Sequence, residues 1–243
     1  MLIFLFIWQS VVQFGYISER RLPTPYQVSV ILFEKFTNPN PDGAVIQANI
    51  LASLIVVSTG LFLAVLVGIP LGLLMGWYKP IDRFVRPLFE LVRPIPPIAW
   101  IPLMIIWMGI GLEAKAMIIF FAAFVPCVIN SYTGIKSTNQ TFINVAKTFG
   151  GSDFVTFIKV GVPSALTMVF AGIRIALGNA WGTLVAAELL AANAGLGYMI
   201  SVGRQFARPD IIVLGMVSIG FLGFVFNYIV KKIENVVLKW RMI

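Results

Sequence analysis

Residues 49–77 read NILASLIVVSTGLFLAVLVGIPLGLLMGW, without one charged side chain. A helix needs roughly 20 predominantly apolar residues to cross the hydrocarbon core of a bilayer. It can do so because it satisfies its own backbone polar groups, which lipid cannot. This stretch is the first clear membrane span, from about Asn49 to Trp77. Further apolar blocks cover about Pro96–Gly111, Ala116–Ile135, Pro163–Leu190 and Ile211–Val230, with a shorter one at Met1 to about Ile17. None shows the short alternating pattern of barrel strands. The expectation is an all-α membrane protein with six transmembrane helices.

Composition agrees. The chain is 59% hydrophobic and 12% charged, where a soluble domain carries about 25% charged residues. Mean hydropathy is +0.92. The whole chain, 1–243, reads as one membrane domain: an N-terminal span at about 1–17, a bundle at about 49–230, and a polar loop at 136–162. The net charge of +8 falls mainly between spans, so it reports topology, not nucleic acid. A single cysteine, Cys127, excludes an internal disulfide, and the absence of histidine removes the commonest zinc ligand and general base. Met1–Trp8 lacks a basic start and a small-residue cleavage site, so it reads as a retained span.

Between the first two spans, Pro25 suits the N-terminus of a short helix over Tyr26–Phe36. Residues 38–43 are a loop, Lys79–Arg93 a basic connection, and Ala191–Asp210 another loop. One side of the membrane receives Lys79, Arg83, Arg86, Arg93, Lys136, Lys147, Lys159, Lys231, Lys232, Lys239 and Arg241, eleven cations. The other receives six: Arg20, Arg21, Lys35, Lys115, Arg204 and Arg208. The excess marks the cytoplasm, and both termini are then cytoplasmic.

The polar loop holds Asn144, Val145, Ala146, Lys147, Thr148, Phe149, Gly150 and Gly151, and its end reads Val160-Gly161-Val162-Pro163. Asn139 or Thr141 can cap a short helix that Gly150 and Gly151 stop. A second helix starts from Ser152 or Asp153. A stub helix set off by glycines projects as a knob; the other reading is an amphipathic helix on the membrane surface.

This loop resembles the signature loop of binding-protein-dependent ABC permeases: Glu-Ala-Ala, three residues, Gly, nine residues, Ile-x-Leu-Pro. Ala146, Gly150 and Pro163 match outright; Asn144, Val145, Val160 and Val162 are replacements at intact spacing. The resemblance runs from about Leu22 to Val230. Arg93–Leu103 (RPIPPIAWIPL), Trp181–Leu190 (WGTLVAAELL) and Gly195–Ile200 (GLGYMI) are similar to the nitrate, sulfonate, taurine and bicarbonate branch, with the nearest likeness to taurine permeases. It implies the type I importer permease fold, with residues 144–151 in a cytoplasmic coupling helix. It also implies a second permease copy, two ABC ATPase subunits, a solute-binding protein outside, and residence in a bacterial inner membrane. The cargo implied is a small anion such as taurine, another sulfonate, nitrate or bicarbonate; riboflavin, pyrimidine-precursor and aromatic-acid importers share much of the pattern. No G-x-x-x-x-G-K-[ST] loop occurs, so ATP and Mg belong to a partner and this chain is not itself an enzyme. Where taurine-type permeases often carry histidine and arginine early in the second span, Asn49 and Val56 stand here.

Six residues are candidates for a pathway. Arg174 and Glu188 are ionisable within or at the end of the fifth span, where charge faces an interior or a cavity. Arg174 suits an anion contact, an internal pair or a headgroup; Glu188 suits a structural or gating partner. Asn130, Ser131, Asn179 and Thr183 suit either a pathway lining or hydrogen bonds between helices. Gly68, Gly72 and Gly76, and Gly178, Gly182 and Ala186, form small-residue ridges for helix packing. Pro94, Pro96, Pro97 and Pro102 predict a broken or bent span. An ion-coupled carrier would need more ionisable relays than Arg174 offers, and a membrane enzyme lacks paired carboxylates within the spans.

Overall fold

A computed structural model describes residues 2–18, 21–191 and 193–239. Arg20 and Arg241, two members of the charge count, lie outside the described residues. The elements are α1 (Leu2–Gln13), α2 (Pro25–Lys35), α3 (Ile46–Trp77), α4 (Lys79–Val92), a 3₁₀ turn (Pro97–Trp100), α5 (Ile101–Met108), α6 (Leu112–Lys136), α7 (Gln140–Thr148), α8 (Asp153–Thr156), a π turn (Phe157–Gly161), α9 (Val162–Ala191), α10 (Leu196–Gln205) and α11 (Pro209–Val237).

Four helices are long and apolar enough to span: Ile46–Trp77, Leu112–Lys136, Asp153–Leu189 and Pro209–Val237. A fifth crossing exists only if α4 and the Pro97–Met108 segment, bent by 82°, are taken as one. Among the described residues, four or five helices thus meet the length and apolarity test, against the six expected. The block expected at Pro96–Gly111 is broken, because Pro94, Pro96 and Pro97 remove backbone donors. The N-terminal block forms only the 12 residues of α1, about 18 Å at 1.5 Å per residue, against a hydrocarbon core of about 30 Å.

Two stretches expected as connections are helices. Lys79–Arg93 builds α4, with Pro80 harmless in its first turn. Within Ala191–Asp210 lies α10, whose Leu196, Met199 and Gly203 are buried at helical spacing. The expected helix after Pro25 is present as α2, started by a capping box between Thr24 and Gln27.

The centre is α6, packed between α3 and α9. Glycine makes the first seam close: a Cβ on Gly60 would sit 2.6 Å from the Ala116 carbonyl, and Gly68, Gly72 and Gly76 meet Cys127, Val128 and Ile135 in turn. Small side chains (Ala64, Ala123, Cys127, Ala176) fill the middle of the bundle. On α9 the close approaches fall at Gly172, against Asn130 and Pro126, and not at Gly178 and Gly182, which face open space. The ridge expected at those two glycines is therefore not a contact within this chain. Phe62, Leu66, Met216, Phe221 and Phe224 are exposed, as suits helices whose solvent is lipid.

Candidate functional site

The polar loop is built as a rigid projection. The Asn139 side chain accepts from Thr141 N at 2.9 Å and starts α7. At the other end Gly151 N donates to Ala146 O (2.9 Å) and Gly150 N to Lys147 O (3.0 Å). That paired pattern is a Schellman stop. It places Gly150 at φ +79°, a region that penalises a side chain. Gly151 is held for a second reason: a Cβ there would meet the Ala146 carbonyl at 2.7 Å. Ser152 then caps α8 through Val155 N, and the chain passes through the π turn into α9.

The knob is rooted in the bundle. Trp77 Nε1 donates to Asp153 (3.1 Å), and Phe157 packs on Trp77 and Tyr78, ring centroids 5.6 and 5.7 Å apart. Its outer surface carries apolar side chains among polar ones. Phe149 is 87% exposed, and Phe142, Val145 and Phe154 are exposed with it. A cleft of about 360 Å³ between α7 and the root of α9 is lined by Phe142, Val145, Ala146, Lys159, Val160 and Pro163. Phe142 and Phe154 are new members of the site; aromatic residues inside an otherwise polar loop were the signal.

At the opposite end of α3 and α9 lies a buried polar clamp. Glu188 is buried and accepts from Ser53 Oγ (2.8 and 3.0 Å) and from Gly197 N (2.8 Å). Ser53 Oγ also accepts from Leu196 N at 2.9 Å. Asn49 accepts from Gly195 N (3.1 Å) and donates to Asp42 (2.6 Å). Asp42 pairs with Lys35, at 0% and 1% exposure, and Lys35 also donates to Pro39 O and Ala44 O. Lys115 is buried as well. The clamp joins α2, α3, α9 and the start of α10. Asn49 thus has a structural partner on each side, and Glu188 is a positioning group. Asp42, Ser53 and Gly195–Gly197 were missed: Ser53 meets Glu188 across 135 residues and Gly195 meets Asn49 across 146, and Asp42, seven residues from both Lys35 and Asn49, read as part of a loop.

The other pathway candidates are dispersed. Asn130 donates to Pro126 O (2.8 Å) in the α6–α9 seam. Ser131 is buried opposite Gly72, its hydroxyl without a hydrogen bond among the described residues. Arg174 pairs with Glu234 of α11. Asn179 reaches the Ala122 carbonyl at 3.5 Å, the acceptor that Pro126 leaves without its usual donor. Thr183 is buried. Only Asn179 lies with Ile175, Gly178 and Gly182 on the open face of α9. The six do not converge on one cavity within this chain.

Several spanning helices around a small-residue core, with a capped helix projecting from one end, define a multi-pass membrane protein. Residues 68–239 match the family of binding-protein-dependent transport system inner membrane components, and the chain belongs to it. It is 36% identical to the taurine transport system permease protein TauC of Escherichia coli (strain K12), over 98% of this chain and 87% of that one. It is 31% identical to a putative aliphatic sulfonates transport permease protein, SsuC, of Bacillus subtilis (strain 168), over 97% and 83%. The formylaminopyrimidine transport permease protein ThiX of Halalkalibacterium halodurans is 35% identical over 78% and 76%. The fold is shared with an inward-facing structure of the MetNI methionine ABC transporter: TM-score 0.62, 18% identity, 77% of this chain and 93% of that chain. The chain is thus a multi-pass inner-membrane permease subunit of an ABC importer with the type I fold. Its relatives are permease subunits without an ATPase site, so a partner hydrolyses ATP, and the family implies a solute-binding protein as well.

Proposed function

We propose that this chain, as one permease domain over residues 1–243, imports a small anion of the taurine or other sulfonate, nitrate or bicarbonate kind by alternating access. The observation that carries the coupling role is the capped knob with Phe149 standing free at its tip. An aromatic side chain held in that exposed position on a rigid stub fits a groove on an ATPase that binds ATP and Mg. Closure of an ATPase pair then pulls on residues 144–151, and α8, the π turn and α9 carry the motion into the bundle. The open face of α9, with Ile175, Gly178, Asn179 and Gly182, faces a second copy across the pathway. Arg174 has Glu234 as its counter-charge, so selectivity rests on neutral donors such as Asn179 and on the binding protein. The knob end carries Lys79, Arg83, Arg86, Arg93, Lys136, Lys147 and Lys159, which supports a cytoplasmic knob and a cytoplasmic C-terminus.

The cargo class is supported by relatives named for taurine and aliphatic sulfonates. A pyrimidine precursor is the second reading, favoured by the formylaminopyrimidine permease. Two measurements test the proposal. Affinity purification of the permease should bring down an ATPase, and lose it when residues 144–151 are replaced by a glycine–serine linker. The solute-binding protein that stimulates its ATPase should bind taurine or a related anion; selective binding of a neutral pyrimidine would replace the anion reading.

A further inference from the structure

The elbow between α4 and α6 holds a cluster of cations that coupling does not use. Arg86 donates to the Tyr132 hydroxyl, and its guanidinium lies 5.0 Å from the Tyr132 ring centroid. Lys136 approaches the same ring, 5.7 Å from the centroid. Two like charges converging on one ring repel unless an anion lies near them. The carboxylates present compensate only in part. Asp82 accepts from Arg86 Nε at 3.1 Å, and Glu90 stands 3.6 Å from Arg93 with both side chains exposed. Lys136 has no ion-pair partner among the described residues. Arg86 keeps donors to spare, since a guanidinium carries five.

Beside this cluster a cavity of about 170 Å³ opens between the helices. Arg86, Arg93, Tyr132 and Glu90, the carboxylate that pairs with Arg93, line it together with the apolar Met75, Phe89, Val128 and Ile129. It is below the roughly 300–1,000 Å³ of ordinary small-molecule pockets, and so suits one compact charged group followed by a chain. The helix carrying Arg86 is placed for that. α4 turns by 82° from the segment that packs along α6. Its polar side holds Lys79, Arg83, Arg86 and Arg93, and its apolar side leaves Phe84 at 75% and Leu91 at 71% exposure. A strongly two-sided helix at nearly a right angle to an apolar segment suits the headgroup plane, apolar face down.

We propose that the α4–α6 elbow is a binding site for the phosphate of an anionic phospholipid, held by Arg86, Lys136, Arg93 and the Tyr132 hydroxyl. The inference stands on the membrane fold and is independent of the cargo. The test uses the complete transporter, permease with its ATPase, equilibrated with mixed phosphatidylglycerol and phosphatidylcholine and read by native mass spectrometry. Wild type should retain phosphatidylglycerol selectively. The double variant Arg86→Gln, Lys136→Gln should lose it, by about fivefold for each cation removed. Lys79→Gln, Arg83→Gln removes the same amount of charge, from α4 alone and away from the cavity, and should keep the lipid. Tyr132→Phe, which preserves the ring, should weaken retention in a transporter that still assembles. Equal loss in both double variants would reduce the effect to general surface attraction and overturn the site. Displacement of the lipid by millimolar inorganic phosphate would assign the cluster to a free anion and overturn the lipid reading.

Discussion

The two ends of the α3–α9 pair solve opposite problems. At one end the clamp buries Lys35, Asp42, Asn49, Ser53 and Glu188 and gives each of them a partner inside the chain. At the other end the knob leaves Phe142, Phe149 and Phe154 in the open on α7, its C-cap and α8, with α7 capped at both ends. Saturated polar groups hold a region together and offer nothing to a partner. Exposed aromatic groups on a rigid stub add little to the fold and offer a great deal to a partner. The difference teaches where this chain is closed on itself and where, on the proposed coupling role, it meets another subunit. It also predicts that damage at the two ends is read by different instruments, stability at the clamp and coupling at the knob.

The largest expected effect sharpens the clamp side. Asp42→Ala leaves the Lys35 ammonium buried with only carbonyl partners, and breaking a buried pair costs about 3–5 kcal/mol. The purified transporter should melt well below wild type; an unchanged melt would mean that the pair is open to water and the clamp is not closed. Next comes Glu188→Leu. It orphans the Ser53 hydroxyl and the Gly197 amide, each at about 1–3 kcal/mol, and Glu188→Gln, which keeps one acceptor, should lose less. If Gln and Leu melt together, the carboxylate contributes no specific hydrogen bonds.

The knob variants should reverse that pattern. Gly150→Val forces a branched residue into the left-handed region, a local strain of roughly 1–2 kcal/mol. The melt should move little, while uptake into proteoliposomes and ATPase stimulation are lost. Gly150→Asn should retain part of both, because asparagine visits that region more readily. Full transport by the Val variant would remove the coupling role. Phe149→Ser is the smallest perturbation of the fold, since the side chain touches little. No shift in melting is expected, with weaker co-purification of the ATPase. Undiminished capture of the ATPase would place its contact elsewhere on the loop.

Much of the knob was legible in advance, because its determinants are local. Asn139, Gly150, Gly151 and Ser152 cap and stop helices within a few residues of themselves. The spans were legible for the same reason, except where Pro94, Pro96 and Pro97 turned an apolar block into an elbow. The clamp was not legible. Ser53 and Glu188 are 135 residues apart, and nothing along the chain marks them as partners. Nor do Gly178 and Gly182, at the same spacing as Gly68 and Gly72, reveal that one pair faces a helix and the other open space.

By itself, then, the sequence determined a helical membrane protein with a capped loop of the importer kind, because apolar block length, loop charge and glycine stops act over short distances. Only the tertiary structure decided that Glu188 and Asn49 fasten α10 to α3, that Arg174 answers to Glu234, and that α4 lies across its neighbours. Those outcomes depend on which helices meet, and a buried polar group takes the partner that packing brings within about 3 Å.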